Sequence, residues 1–349
     1  MNIVTFTGHL HPVNKSNNTA KTNPVLCQDV PTIPATKLVM PDSELLKVSF
    51  TGGMLSKIGN LFSKEANLYP EYKKFILESE MLSAEKKITK LKEIFGDSLE
   101  GCPNDTQIPK KWGGITLDNI KPDANLQRKN LIGFNFVENN KTNIIGINLN
   151  QTLLYKTILN GIEISNSQKT TRLEGAILDK AELNDVILIK TILKATSFDK
   201  AQLNRAKLNQ AHLIQTKLSR AELVDAELDN VLGVFTKFVD ADLTGAKLTN
   251  ASLTRPDLTR AALIRTDLKG TRIAEGDLHL ANFQGAWLGD TNLNGCVNIN
   301  SAKFEGAYYN SNTVFPDEFN FEDHNMVFVP KEQEEEFYDY FKKTQKGNI

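Results

Sequence analysis

TRLEGAILDKAELNDVILIKTILKATSFDK, residues 171–200, sets an apolar side chain at every fifth position: Leu173, Leu178, Leu183, Leu188, Leu193 and Phe198. Two residues before most of them stands a small one, such as Ala176, Ala181, Thr191 or Thr196. The pattern runs on to Leu293, 25 consecutive units, with Gly233 the one centre lacking an apolar side chain. An α-helix advances about 500° in five residues, so its leucines would scatter around every side. A straight strand would send successive leucines to opposite faces. Both objections vanish if the chain turns a corner once per unit. The small residue and the leucine, two apart, then point the same way. If that way is inward, the chain winds into a tube filled by leucine, and the small residues let its sides approach.

If four units close one coil, residues twenty apart stack at about 4.8 Å, the spacing of neighbouring strands. Ala181, Ala201, Ala221, Ala241, Ala261 and Ala281 then form an unbroken column. Thr196, Thr216 and Thr236 form another, readable as a hydroxyl ladder, and Phe198 and Phe238 share a side two coils apart. The segments Ala181-Glu182-Leu183, Ala221-Glu222-Leu223, Ala241-Asp242-Leu243-Thr244-Gly245 and Ala281-Asn282-Phe283-Gln284-Gly285 resemble the pentapeptide repeat family, whose consensus is Ala-(Asp/Asn)-Leu-X-X. The resemblance implies an all-β solenoid, a right-handed quadrilateral β-helix with four units per coil. Activities in the family are diverse, so a fold is implied and no single function.

Outward from this stretch, Leu126, Leu131 and Phe136 keep the spacing, as do Ile144, Leu149, Leu154, Leu159 and Ile164. The phase slips at 138–141 and again at 165–170, where a protruding loop is expected. Past Leu293 one residue is added before Ile299, and Phe304 and Tyr309 follow. The β-helix is expected over residues 124–309, as 36 units in nine coils.

Residues 1–42, broken by Pro12, Pro24, Pro31, Pro34 and Pro41, read as a disordered arm. Residues 43–112 read as a small helical region with three apolar stripes. The first is Met54, Leu55, Ile58, Leu61 and Phe62; the second, after Pro70, is Tyr72, Phe75, Ile76 and Leu77. The third is Ile88, Leu91, Ile94 and Phe95, with Ser83 as N-cap and Gly96 as terminator. These helices are expected to form a bundle or a lid on the first coil. Residues 310–349 are expected to close the other end. There Phe315, Phe319 and Met326 resemble the closing tail of bacterial family members, and a capping helix spans 331–343. Its acidic start and basic end suit the helix dipole.

Charge and motifs exclude several functions. Lys and Arg number 41 against 42 Asp and Glu, and between Arg172 and Glu305 each sign counts 17. Some family members mimic duplex DNA and bind DNA gyrase. That alternative, implied by the resemblance, requires an acidic surface the balance does not supply. A corner column of Lys180, Lys200, Arg220 and Arg260 is interrupted by Asp240 and offset by Asp179 and Asp199, which argues against nucleic acid. The lysines of the helical region are offset by glutamates, and no apolar run reaches 18 residues, which argues against a membrane. Cys27, Cys102 and Cys296 are isolated and fit a reducing, cytoplasmic setting. His9 and His11 lack a third ligand nearby, while His212 and His279 fall on different sides. Glu182, Glu222 and Asp242 form an outward column, not a facing pair. No phosphate loop or nucleophile elbow occurs. No catalytic residue, metal site, cofactor or small-molecule substrate is expected. Catalysis would need a cleft between the helical region and the first coil.

One outer patch stands apart, in Val231-Leu232-Gly233-Val234-Phe235. Register sends Leu232, Val234 and Phe235 outward, with Ile214 below Val234 one coil earlier, an apolar group on a polar exterior. The competing reading is a bulge at Gly233 that tucks Leu232 or Phe235 inward. Trp287 is also outward by register, and a capping segment is expected to cover it. The leading expectation is a rigid scaffold offering this patch to an unidentified protein partner. The alternatives are a structural spacer or a homodimerisation module.

Overall fold

The computed structural model describes residues 69–79, 81–100, 102–107, 114–141, 143–166 and 168–345. The arm at 1–42, with His9 and His11, and the stripe Met54, Leu55, Ile58, Leu61 and Phe62 lie outside the described residues.

From Arg172 to Val297, parallel bridges join residues twenty apart, for example Glu182–Gln202–Glu222–Asp242. Four five-residue units therefore make one coil. The first column of units is centred on Leu173, Leu193, Leu213, Gly233 and Leu253; the second on Leu178, the third on Leu183 and the fourth on Leu188, each repeating every twenty residues. Every centre from Leu126 to Phe304 is buried, and Tyr309 is half-buried. Burying each leucine contributes about 1.5–3 kcal/mol. The slips read in the sequence become insertions. Asn125 pairs with Asn148 across the turn at 138–141, and Asn148 with Arg172 across the loop at 166–170. Late in the chain, Asn282 pairs with Lys303 and Asn292 with Val314.

The corner is a local backbone event. Two residues past each centre, φ turns positive: 59° at Lys180, 60° at Asp185, 58° at Lys190, 55° at Ala195 and 60° at Lys200. A non-glycine residue there costs about 1–2 kcal/mol. Hydrogen bonds between coils hold it in place, such as Leu183 N to Gln202 O at 2.7 Å and Gln202 N to Ala181 O at 2.9 Å. Where pairing is longest it forms strands β1 (Glu163–Ser165), β2 (Ile187–Leu188), β3 (Leu232–Val234), β4 (Ser252–Thr254), β5 (Arg272–Ala274), β6 (Tyr308–Tyr309) and β7 (Val327–Phe328). β3, β4 and β5 stack in parallel on the first column.

The inward threonines do not bond one another as a ladder. Thr196 donates to Leu173 O at 2.6 Å, Thr216 to Leu193 O at 2.8 Å and Thr236 to Leu213 O at 2.7 Å. A buried hydroxyl must find an acceptor, and here it is a carbonyl of the preceding coil.

Two expectations about the ends are corrected. Helices α1 (Tyr69–Glu78) and α2 (Ala84–Phe95) occur, and Ser83 caps α2 by accepting from Lys86 N. They pack on each other, Tyr72 against Phe95 at 5.5 Å between ring centroids, but do not lid the first coil. Tyr72, Phe75, Ile88 and Leu91 pack sideways on the outer side chains Ile132, Leu153, Tyr155 and Ile177 of the second column. The coil end is closed instead by Ile115 and Ile120, which join the tube core. At the other end, Phe315, Phe319, Met326 and Tyr309 pack on the core, and His324 stacks on Phe319. The C-terminal helix α3 (Glu334–Gln345), however, is not the cap. Its Phe341 packs with Trp287 and Val329 on the outside of the fourth column, where Phe337 and Tyr338 also sit. In both places an outward aromatic side chain, Tyr155 or Trp287, lies in the covered cluster.

Candidate functional site

The first column builds the patch. β3 pairs Leu232 with Ser252, Gly233 with Leu253 and Val234 with Thr254, in unbroken register. The backbone therefore carries no bulge, and neither Leu232 nor Phe235 tucks inward. Leu232 is 43 % exposed and Phe235 48 %. Val234 and Ile214 are half-buried beside them. A Cβ on Gly233 would lie 2.6 Å from Leu253 Cδ2 and 2.7 Å from Thr236 Oγ1. The next coil's leucine thus fills the space of the missing side chain, and the strand stays flat.

Phe235 occupies a corner, with φ of 54°. Glycine, Asn and Asp adopt that conformation most cheaply, and a bulky ring gains nothing there from the backbone. Its ring faces the Arg255 guanidinium at 5.7 Å, and Arg255 pairs with Glu275 at 2.7 Å. On the opposite edge of the column, Leu232 borders a groove of about 390 Å³ lined by Ile192, His212, Lys190, Gln210, Asn230 and Thr170. Ile192 and Thr170 were missed in the sequence. The outward position of Ile192, twenty residues before His212, was the available signal. Thr170 lies where the pairing of Asn148 with Arg172 spans four residues more than a regular coil.

Much of the other sides is covered or paired, while Leu280 and Val297 leave apolar surface exposed on the late second column. α1 and α2 cover the early second column, and Lys217 reaches Glu85 of α2 at 2.7 Å. α3 covers the late fourth column. On the third column, Asn160 donates to Glu182 and Asn204 to Glu222, each at 3.1 Å, so these carboxylates serve the ladder. His212 lies in the first-column groove, while His279 sits beside Ser301.

The junction below α1 holds the buried polar groups. Tyr72 donates to Pro103 O at 2.8 Å, and Asn130 Nδ2 donates to the same carbonyl at 2.9 Å. Asp105 accepts from Asn130 N at 2.8 Å, and burial raises its carboxyl to about 6. Burial pushes the Cys102 thiol up to about 12, so it is not a thiolate nucleophile at neutral pH. Among the described residues no group of three or more His, Cys, Asp or Glu side chains could hold a metal ion. No helix among them is long and apolar enough to cross a membrane.

An exposed apolar patch on a parallel β-solenoid defines a repeat protein whose fold is set by five-residue units. Residues 196–232 and 236–273 match the model for pentapeptide repeats, in eight copies. The chain belongs to the pentapeptide repeat family. Among solved structures it is similar to alr5209, a pentapeptide repeat protein from Nostoc, at 34 % identity over 32 % of this chain and 84 % of that one, TM-score 0.24. It is similar to HetL, a pentapeptide repeat protein involved in heterocyst differentiation regulation in the cyanobacterium Nostoc, at 25 % identity over 52 % and 88 %, TM-score 0.26. QnrB1, a plasmid-mediated fluoroquinolone resistance protein, matches at 14 % identity over 63 % and 94 %, TM-score 0.33. Superpositions at these TM-scores carry no argument about function. No curated protein matches the sequence.

Proposed function

We propose that the protein is a non-enzymatic, cytoplasmic scaffold that binds a protein partner through Ile214, Leu232, Val234 and Phe235. We take its coil to be the right-handed quadrilateral β-helix implied by the family resemblance. The observation that carries the reading is Phe235. It is nearly half exposed, and its corner backbone favours Gly, Asn or Asp over a phenyl ring. Folding gains from the ring only the exposed contact with Arg255, whereas aromatic side chains dominate binding hot spots. Leu232 and Val234 extend the apolar surface across the same flat strand. The DNA-mimic alternative draws no support from charge, since the repeat stretch is balanced.

The test compares the parent with Phe235→Asp, as bait for native cell extract and by size exclusion with light scattering. A partner held by the parent and lost by the variant supports the reading. A parent dimer that becomes a monomer would make the partner a second copy. Equal retention of every captured protein, with equal mass, would overturn the assignment of this patch.

A further inference from the structure

A second site lies where α2 and the turn after it meet the first two coils. A cleft of about 580 Å³, within the range of small-molecule pockets, is lined by Ser98, Glu100, Asn104, Gln107, Gly133 and Lys156 among others. At its Lys156 edge stands Tyr155, buried, its hydroxyl donating to Asp97 O at 3.2 Å. Three ammonium groups converge on this one ring: Lys180 Nζ at 5.4 Å, Lys92 Nζ at 5.8 Å and Lys156 Nζ at 5.9 Å from its centroid. They come from α2, the second coil and the third coil, and lie close enough to repel, given a Debye length of about 10 Å at 0.1 M salt.

The acids that offset the corner column in the sequence hydrogen-bond elsewhere, although Asp179 still feels Lys92 and Asp199 still feels Lys180. Asp179 accepts from Ser197 Oγ at 2.5 Å and from Asp199 N at 3.1 Å. Asp199 accepts from Arg220 Nη2 at 2.7 and 2.9 Å. No ion pair within 4.0 Å joins Lys92, Lys156 or Lys180 to a carboxylate among the described residues. Asp97 and Asp199 still add their field at Lys180. Glu100 lines the cleft, and there suits a hydroxyl or amine donor.

We propose that this cleft binds a small phosphomonoester, with its phosphoryl group at Lys156, the one of the three lysines that lines the cleft, in the field of Lys92 and Lys180, and its polar body along Ser98, Asn104 and Gln107. This goes beyond the scaffold reading and does not depend on it. The ligand is held, not converted, so it acts as an effector that ties α2 to the coils. The phosphoryl group can come from an ester or from free phosphate, and the test separates the two.

Full-length protein is titrated calorimetrically with adenosine 5′-monophosphate and, separately, with inorganic phosphate. The ester is expected to bind more tightly, with affinity falling as salt rises. Lys156→Gln should weaken it about tenfold, the loss of one charge-assisted contact, and Lys180→Gln by less, the loss of a neighbouring field. Lys237→Gln, on the same column but away from the cleft, should leave it unchanged. All three positions are exposed, and circular dichroism checks that the variants fold. Absence of saturation at about 1 mM of either probe would overturn the proposal. So would equal affinity for ester and phosphate, or an equal loss in Lys237→Gln.

Discussion

Phe235 and Trp287 are both outward by register, on the first and fourth columns, yet one is exposed and the other buried. Trp287 is fully buried, with Tyr338 at 5.3 Å and Phe337 and Phe341 each at 5.9 Å between ring centroids. It lies flat over Gly289, where a Cβ would meet its Nε1 at 2.6 Å. Phe235 stays in solvent beside Arg255. The repeat decides direction, in or out. Whether an outward ring stabilises the fold depends on a segment some fifty residues further along the chain that happens to cover it.

The sharpest way to break both sides at once is through the core they share. Leu223→Asp should abolish the folded state, because an inward charge has no partner; a circular dichroism spectrum matching the parent would sink the register itself. On the covered side, Trp287→Ala should cost about 3–5 kcal/mol in denaturant unfolding, and a loss near zero would mean α3 holds without it. Gly233→Val should cost about 1–3 kcal/mol, since the new side chain meets Leu253 and Thr236. Equal stability would show that the next coil can retreat.

Acidity separates the two sides as well. Burial raises the Asp267 carboxyl above its usual range, outweighing the hydrogen bond from Tyr338 that lowers it. The native state therefore holds this proton more tightly than the unfolded chain does. That contribution is fully present below the unfolded carboxylate pKa and is lost as pH rises through the folded one. Asp267→Asn should remove this slope from stability measured against pH; an unchanged slope would assign it to another carboxyl. The smallest effect is expected at the open patch. Phe235→Asp should leave stability equal or raise it by up to about 1 kcal/mol, since Asp accepts the left-handed corner. A loss comparable to that of Trp287→Ala would mean the ring supports the fold.

Much of this was legible beforehand. The centres, the small inward residues, both phase slips and the outward direction of Ile214, Leu232, Val234 and Phe235 follow from a local rule repeated every five residues. The reading of the ends was less complete. The caps of α2 at Ser83 and Gly96 were local signals and appear as read. That α1 and α2 lie on Ile132, Leu153, Tyr155 and Ile177 was not visible, because those outer residues sit in the irregular coils where the pattern is weakest. The convergence of Lys92 on Lys156 and Lys180 was hidden for the same reason, joining a helix to two coils sixty and more residues away.

The sequence alone determined the period, the coil of four units and the identity of the core, because each unit carries its own instruction: a small residue, a leucine and a corner. The tertiary structure decided which outer surfaces remain open, how the ends are sealed and where cations gather. Those outcomes come from segments outside the repeat, some packing on the tube core and some on outer side chains far away in the chain, and the five-residue pattern does not encode them.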